Sequence, residues 1–449
     1  MPVSRSSRLG LSVLAVTAVA VLAAFTPMRR QGCPVRPVPD VSSPAAPIDT
    51  CIPDGFSEVA IDYFDDYSWR LFVGMIWPAA SDKRGVADEG KAPGHAGPRV
   101  FETYKSLWEV FHEDGTAPTA DFNDYDTAAH NACKANPAFG EIVLASTTAY
   151  GDVGQSGMGV LTGPLVAQNG RYVRYQTLYN QPAYDFIVRN KYYLRSSLPE
   201  PQAGSTTPAM QFPDGSLALK VAWIDMTGIP EAQARRVYTR PAILKNPTTG
   251  TCARTPVGLV GLHVVQKTPS RPQWSWSTYE HVDNIPPADE NGPGTFLFHD
   301  GGDAEMPEES PLMLVPLAPE PVKPYNVTRS SRTPIHPNTA SMNRRYRALL
   351  ENTVWANYQL VMTQWSRVPG NQARPVDVSV TGDASTTFPG VGAGSAFANV
   401  TLETFDQNRV QTGCMNCHTQ ARTRTDFMWS VLDHAYPAVI GPIASAVRK

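Results

Sequence analysis

The chain is 449 residues long, enough to bury one large core or two moderate ones. It carries 41 prolines and 33 glycines but only 18% charged residues, a loop-rich composition that argues against an all-helical bundle. A net charge of −3 gives no strongly basic character, so neither nucleic acid nor an anionic membrane surface is expected as a partner.

At the N-terminus Arg5 and Arg8 precede an uncharged apolar run from Leu9 to Phe25, the charged and apolar regions of an export signal. The run has 17 residues, the lower limit for spanning a bilayer, so residues 1–27 read as a cleaved signal or as a retained membrane anchor. Residues 28–55 follow as a Pro-rich linker without periodicity. The remainder, 56–449, is expected on the exported, periplasmic side of a bacterial membrane. That compartment is oxidising, and Cys33 with Cys51 and Cys133 with Cys252 make the simplest of the three pairings that four cysteines allow.

The globular region 56–449 reads as α+β: an antiparallel β-rich domain with several helices, long Pro/Gly-rich loops and a distinct C-terminal segment at about 400–449. Phe64, Trp69, Phe72, Val73 and Ile76 form a helical stripe over 59–76, and Pro78 ends it. Tyr104, Leu107, Trp108 and Phe111 suggest a second short helix. From about 140 to 285 the pattern turns to β, with strands at 141–144, 171–175, 216–224, 257–265 and 273–280. In the third of these, Leu217, Leu219, Val221 and Trp223 share one face and Lys220 takes the other. The short link 266–272 makes antiparallel pairing the economical connection for the last two. Asp300, Asp303, Glu305, Glu308 and Glu309 lack the regular spacing of a calcium loop and read as a solvated acidic stretch. A long helix is expected over 339–367, on Met342, Tyr346, Leu349, Leu350, Val354, Leu360, Val361 and Trp365.

The stretch that carries chemistry comes last: Cys414-Met415-Asn416-Cys417-His418. C-x-x-C-H is the attachment signal of a c-type haem. Two thiols at this spacing form thioethers to one porphyrin, and the adjacent histidine binds its iron as proximal ligand. A structural zinc site would need a second ligand pair at matching spacing, and Cys33, Cys51, Cys133 and Cys252 each stand alone; a redox dithiol usually opens a helix early in a βαβ unit, whereas this pair comes late in the chain. The expected cofactor is therefore one covalent haem c, with Cys414 and Cys417 as anchors and His418 as metal ligand.

Function then depends on the sixth coordination position. Only 31 residues follow His418; among them Met428 is hard to bring to its opposite side, and His434, a better length match, would need a tight hairpin around the porphyrin edge. The upstream candidates are His263, His281, His299, Met210, Met226, Met342 and Met362. The run Trp274 to Asn284 is the densest mixture of aromatic, acidic and imidazole groups; it reads first as an aromatic sheet core with a polar end, and otherwise as a haem-pocket wall of Trp and Tyr whose Glu or His moves protons to a bound ligand.

The run from Cys414 to Trp429, with Thr425-Asp426-Phe427 after the haem motif, resembles the end of the cytochrome P-four-sixty and cytochrome c-prime-beta family. Pro213-Asp214-Gly215 before the Lys220 strand is a looser likeness. The resemblance implies a mainly antiparallel β fold and a five-coordinate haem for hydroxylamine or NO chemistry or gas binding. Some members cross-link a lysine to the porphyrin, and Lys220 is the position to test here. The chain is also similar to a broader group of large, uncharacterised mono-haem bacterial proteins with the same motif. Two functions follow, beside a third reading in which the large upstream region is a substrate-binding domain and the haem its accessory. One is an exported mono-haem c-type cytochrome in electron transfer or redox chemistry, serving a periplasmic redox partner. The other is a five-coordinate haem enzyme or sensor that binds a small ligand such as NO, hydroxylamine or peroxide, a haem-dependent oxidoreductase in its catalytic form. No phosphate loop, dinucleotide fingerprint, G-x-S-x-G or H-E-x-x-H supports another enzyme class.

Overall fold

The computed structural model describes residues 58–146, 152–155, 163–203, 208–269, 271–287, 295–302, 317–330, 334–365, 398–407 and 414–438. The expected export signal or anchor at 1–27, the expected linker at 28–55, and Cys33, Cys51, Asp303, Glu305, Glu308 and Glu309 lie outside these residues. Among the described residues no helix is long and apolar enough to cross a membrane.

The α+β expectation holds. The helices are α1 (Glu58–Ile76), α2 (Leu107–Val110), α3 (Gln181–Arg189), α4 (Glu231–Ala234), α5 (Pro337–Leu349), α6 (Cys414–His418), α7 (Arg422–Thr425) and α8 (Trp429–His434). The strands are β1 (Lys105–Ser106), β2 (Ile142–Leu144), β3 (Arg174–Tyr179), β4 (Leu217–Asp225), β5 (Thr239–Lys245), β6 (Cys252–Gln266), β7 (Ser275–His281) and β8 (Tyr358–Gln364). They form one mixed sheet in the order β1-β3-β4-β6-β5-β2, with β7 added to β6 and β8 to β7. Every ladder is antiparallel except β2 with β5. The 15-residue strand β6 is its spine. One edge of β6 pairs with β4 over 257–266, while the other takes β5 over 252–258 and then β7 over 261–266. Between these two partners a bulge leaves Val260 unmatched in the β4 ladder. Its carbonyl accepts Asn284 Nδ2 at 2.8 Å, and the Leu259 carbonyl accepts the Tyr358 hydroxyl at 2.9 Å. Cys133 and Cys252 join the loop before β2 to the start of β6, with Cα atoms 5.8 Å apart.

Register partners share a face, as do alternate residues along a strand. One face carries Leu217, Leu219, Val221 and Trp223 of β4, Leu262 and Val264 of β6, and Tyr279 of β7. These join the apolar stripe of α1 and Met342 and Tyr346 of α5 in the main core, where Trp69 stacks on Tyr346 at 5.0 Å. The opposite face presents three rows. Tyr179, Ala218, Val265 and Trp276 form the first; Thr177, Lys220, His263, Thr278 and Met362 the second; Tyr175, Ala222, Gly261 and Glu280 the third.

A polar seam crosses the main core. Ser68 of α1 meets Ser277 and Thr363, each at 2.7 Å, and buried Asp65 accepts the hydroxyls of Thr339 at 2.6 Å and Thr363 at 3.0 Å. Burial pushes the Asp65 carboxyl up from 3.8 to about 7, against the pull of the two hydroxyls. Between these values the unfolded chain is ionised and the folded one is not. The unfolded state therefore binds fewer protons, and stability falls as pH rises from about 4 to about 7. Asp65→Asn is expected to remove this slope, gaining up to a few kcal/mol on wild type at pH 8 relative to pH 4. Denaturant melts of both proteins at the two pH values check it; parallel pH dependence would refute it.

Four local readings need correction. The expected helix over 339–367 ends at Leu349, and 358–364 is strand β8. Leu360 fits either periodicity, but Glu351-Asn352-Thr353 breaks the helix and the edge of β7 supplies a ladder. Asn343 then clamps the turn, accepting Leu360 N–H at 3.0 Å and donating to its carbonyl at 2.8 Å. The strand expected at 171–175 runs from Arg174 to Tyr179, because Tyr172 is taken by an isolated bridge to Val166. Helix α3 interrupts the stretch read as β; Asn180 caps it by accepting Ala183 N–H, and Pro182 sits in its first turn. Strand β5 was hidden by Pro241, which lies opposite Pro256.

Candidate functional site

Two segments remote from the sheet in sequence cover its second face. Residues 398–407 lie over the third row: Tyr175 donates to the Thr401 carbonyl at 2.8 Å, and Glu280 accepts Val400 N–H at 2.5 Å. Gly261 permits this approach, since a Cβ there would stand 2.0 Å from Thr401 Oγ1. The C-terminal segment covers the first row, where Trp276 packs against His418 with ring centroids 4.5 Å apart and Tyr179 hydrogen-bonds Ser430. The second row, with Lys220 and His263, lies between these two covers.

Helix α6 is a single turn, so Cys414, Cys417 and His418 fall at i, i+3 and i+4 on one side of it. Both cysteines are free and half-buried. His418 Nδ1 lies 2.6 Å from the Phe427 carbonyl. A carbonyl only accepts, so Nδ1 carries the proton and Nε2 keeps its lone pair, the tautomer of an orienting bond behind a metal-ligating imidazole. Burial is the main cause that pushes His418 down to about 4, outweighing the Phe427 carbonyl; Lys220 and His263 push the same way and Glu403 opposes them. Burial also drives Cys414 well up and Cys417 up to about 11, with Glu403 adding to both. Both side chains are thus held as thiols, unlike the depressed values of a nucleophilic dithiol.

The Phe427 carbonyl is aimed by strained backbone. Asp426 and Phe427 both have positive φ, 50° and 73°, uncommon for residues other than glycine. Asp426 is fully buried and anchored: its Oδ2 accepts Lys267 Nζ from the end of β6 and Phe212 N–H at 2.9 Å. Burial raises the Asp426 carboxyl, and the Lys267 charge pulls it back. Trp429 closes the turn by donating to the Cys417 carbonyl at 3.2 Å. The Thr-Asp-aromatic triplet drew notice only through the family resemblance. Lys267, 159 residues away in sequence, left no local signal at all.

Of the upstream candidates, His263 and Met362 share the second row. His263 Nε2 meets Glu403 Oε1 at 2.7 Å, while its buried Nδ1 has no hydrogen-bond partner among the described residues. Lys220 lies opposite His263, reaches the Gly154 carbonyl at 3.4 Å and stands 5.1 Å from the Tyr175 ring. Burial pushes it down to about 8, with Glu403 and Cys417 opposing. His434 lies 6.1 Å from Phe111 and is pushed down to about 4 by burial, with Lys220 adding to the effect. Met428 is buried in the main core at the start of α8. The other candidates are placed elsewhere. His281 is on the core face, with Nε2 on the Arg236 carbonyl at 2.9 Å and Nδ1 accepting Asp283 N–H at 3.1 Å, so both nitrogens are engaged. Met342 of α5 packs in the main core, Met226 packs in the second apolar cluster, Met210 is buried in the main core, and His299 turns its own loop by accepting Gly301 N–H. Within the run 274–284 the aromatic core reading is incomplete, because Trp276 reaches His418.

In comparisons with known proteins, no family model, no curated protein and no solved structure matches the chain.

Proposed function

We propose that Cys414 and Cys417 hold one haem c covalently, that His418 Nε2 is its proximal iron ligand, and that the chain acts as an exported mono-haem c-type cytochrome. The observation that carries this reading is the His418 to Phe427 bond, which fixes the tautomer that leaves Nε2 its lone pair, on the same turn as two free thiols. Bound haem supplies one-electron redox chemistry. The chain's own residues orient the histidine through Phe427 and Asp426, and wall one side of it with Trp276.

For electron transfer Met362 and His263 would be the residues able to supply the bound haem with a second ligand, since they share the row between the two covering segments. A second reading draws support from that same row. Lys220 and the His263–Glu403 pair form a polar group of the kind that moves protons to a bound small ligand, which suits an open iron site for NO, hydroxylamine or peroxide. Absorption spectra of the oxidised and reduced protein, with and without CO, separate the two. A low-spin spectrum indifferent to CO is expected for electron transfer, and a high-spin spectrum shifted by CO for the open site. Absence of haem mass on the denatured chain would overturn both.

A further inference from the structure

Far from the C-terminal motif in sequence, the loop between α2 and β2 folds two histidines around one carboxylate. His112 Nε2 lies 3.0 Å from Asp126 Oδ2, and His130 Nδ1 lies 2.6 Å from Asp126 Oδ1. The side chains of His112 and Asp126 are almost wholly buried, at 0% and 2% exposure, while His130 keeps 17%. The two imidazoles stack with centroids 3.5 Å apart and planes at 21°. Asp126 also accepts Thr127 N–H at 2.7 Å and Thr119 N–H at 3.3 Å, so its own orientation is set by backbone.

Proton counting leaves this cluster incomplete. The Thr116 hydroxyl has one hydrogen, which goes to Asp114 Oδ1 at 2.6 Å. His112 Nδ1 at 3.0 Å and His130 Nε2 at 3.3 Å can then meet Thr116 Oγ1 only as donors. A neutral imidazole has a single N–H, so while neutral neither ring can donate both to Asp126 and to Thr116. Filling all four contacts with protons would make two imidazolium rings in face-to-face contact, which repel. One divalent cation placed among the three groups supplies the same two charges and leaves both rings neutral. Thr116 then serves as the outer partner that fixes each tautomer.

We infer that His112 Nε2, His130 Nδ1 and the Asp126 carboxylate form a binding site for a divalent transition-metal ion of the zinc class. Their ligand atoms lie within 4.8 Å of one another. Donors around a tetrahedral zinc are about 3.3 Å apart, given bond lengths of about 2.0–2.1 Å, so the spacing suits the ion once one imidazole turns out of the stack to aim its in-plane lone pair at it. Two imidazoles and one carboxylate select zinc, copper, nickel or cobalt over magnesium and calcium. The partly exposed side of His130 leaves a fourth position for water or an exogenous ligand. The ion ties together residues 112–130, just ahead of Cys133 in its bridge to β6.

The test uses the purified full chain, stripped with a chelator and dialysed against zinc or magnesium chloride, with bound metal counted by mass spectrometry. Cys414→Ser/Cys417→Ser is measured in parallel, so that zinc on free thiols is separated from zinc at this site. One zinc per chain, retained in that variant and not displaced by magnesium, is the expected result. His112→Ala and His130→Ala should each weaken binding at least 100-fold, and Thr116→Val about 10-fold through lost orientation. As a check that needs no variant, zinc but not magnesium should raise the thermal midpoint of the wild-type chain. The proposal is overturned if wild type retains no zinc and its melting is unchanged. It is equally overturned if the folded His112→Ala/His130→Ala double variant retains as much as wild type.

Discussion

On the proposed attachment, Cys414→Ala and Cys417→Ala are each expected to leave at most one thioether to the haem, and the double variant none. His418→Ala should still carry covalent haem but lose its proximal nitrogen. The physical basis is the single turn of α6, in which each of the three side chains has a separate task and no neighbour duplicates it. In the described C-terminal segment His434 is the other imidazole, and it lies on α8 beside Phe111. Denaturing mass spectrometry reads attachment, and the Soret and visible bands read the axial ligand. Full haem mass on Cys414→Ala/Cys417→Ala would contradict the assignment. So would a His418→Ala spectrum identical to that of wild type.

Lys267→Met should cost about 3–5 kcal/mol, the usual penalty for stripping a buried carboxylate of its partner. Lys267 and Asp426 have side-chain exposures of 2% and 0%, so water cannot replace the missing charge. The cost should appear in two readouts at once. Asp426 holds the positive-φ turn whose Phe427 carbonyl accepts from His418, so loosening it frees the imidazole to rotate. Denaturant melts should therefore shift together with the haem spectrum. Lys267→Met/Asp426→Leu should recover part of the stability, because an apolar pair removes the uncompensated charge. It should not recover the spectrum if the turn needs the Asp426 to Phe212 bond to hold its shape. Equal losses in the single and double variants would refute the pairing argument.

The strand that carries Lys220 was legible because Leu217, Leu219, Val221 and Trp223 alternate cleanly, and the structure keeps them on the core face. The first helix was legible from its aromatic stripe and Pro78. Strand β8 was not, since a strand recruited by a neighbouring edge is decided by tertiary pairing and not by its own periodicity. The same holds for β5, where Pro241 lowers every local score and is accommodated only because Pro256 faces it. At the C-terminal motif, residue types and spacing were readable, and they named Cys414, Cys417 and His418. What orients His418 was not, because Lys267, Phe212 and Trp276 come from distant strands and loops. The His112, Asp126 and His130 cluster was missed for a similar reason: a spacing of 14 and then 4 residues matches no recurrent ligand pattern, and only folding of the loop brings the rings together.

The division of one β6 edge between β5 and β7 bears on how the molecule comes apart. A sheet made of two independent halves would open in two steps, each at its own denaturant concentration. Here both halves draw their ladder hydrogen bonds from one strand, and β4 runs along the other edge across the changeover at Val260. Asn284 and Tyr358 tie off the backbone where neither partner reaches. Separating either half therefore strips bonds from the strand that the other half rests on. The sheet should therefore open as a single cooperative unit, with amides of β5 and β7 exchanging with solvent through the same opening event.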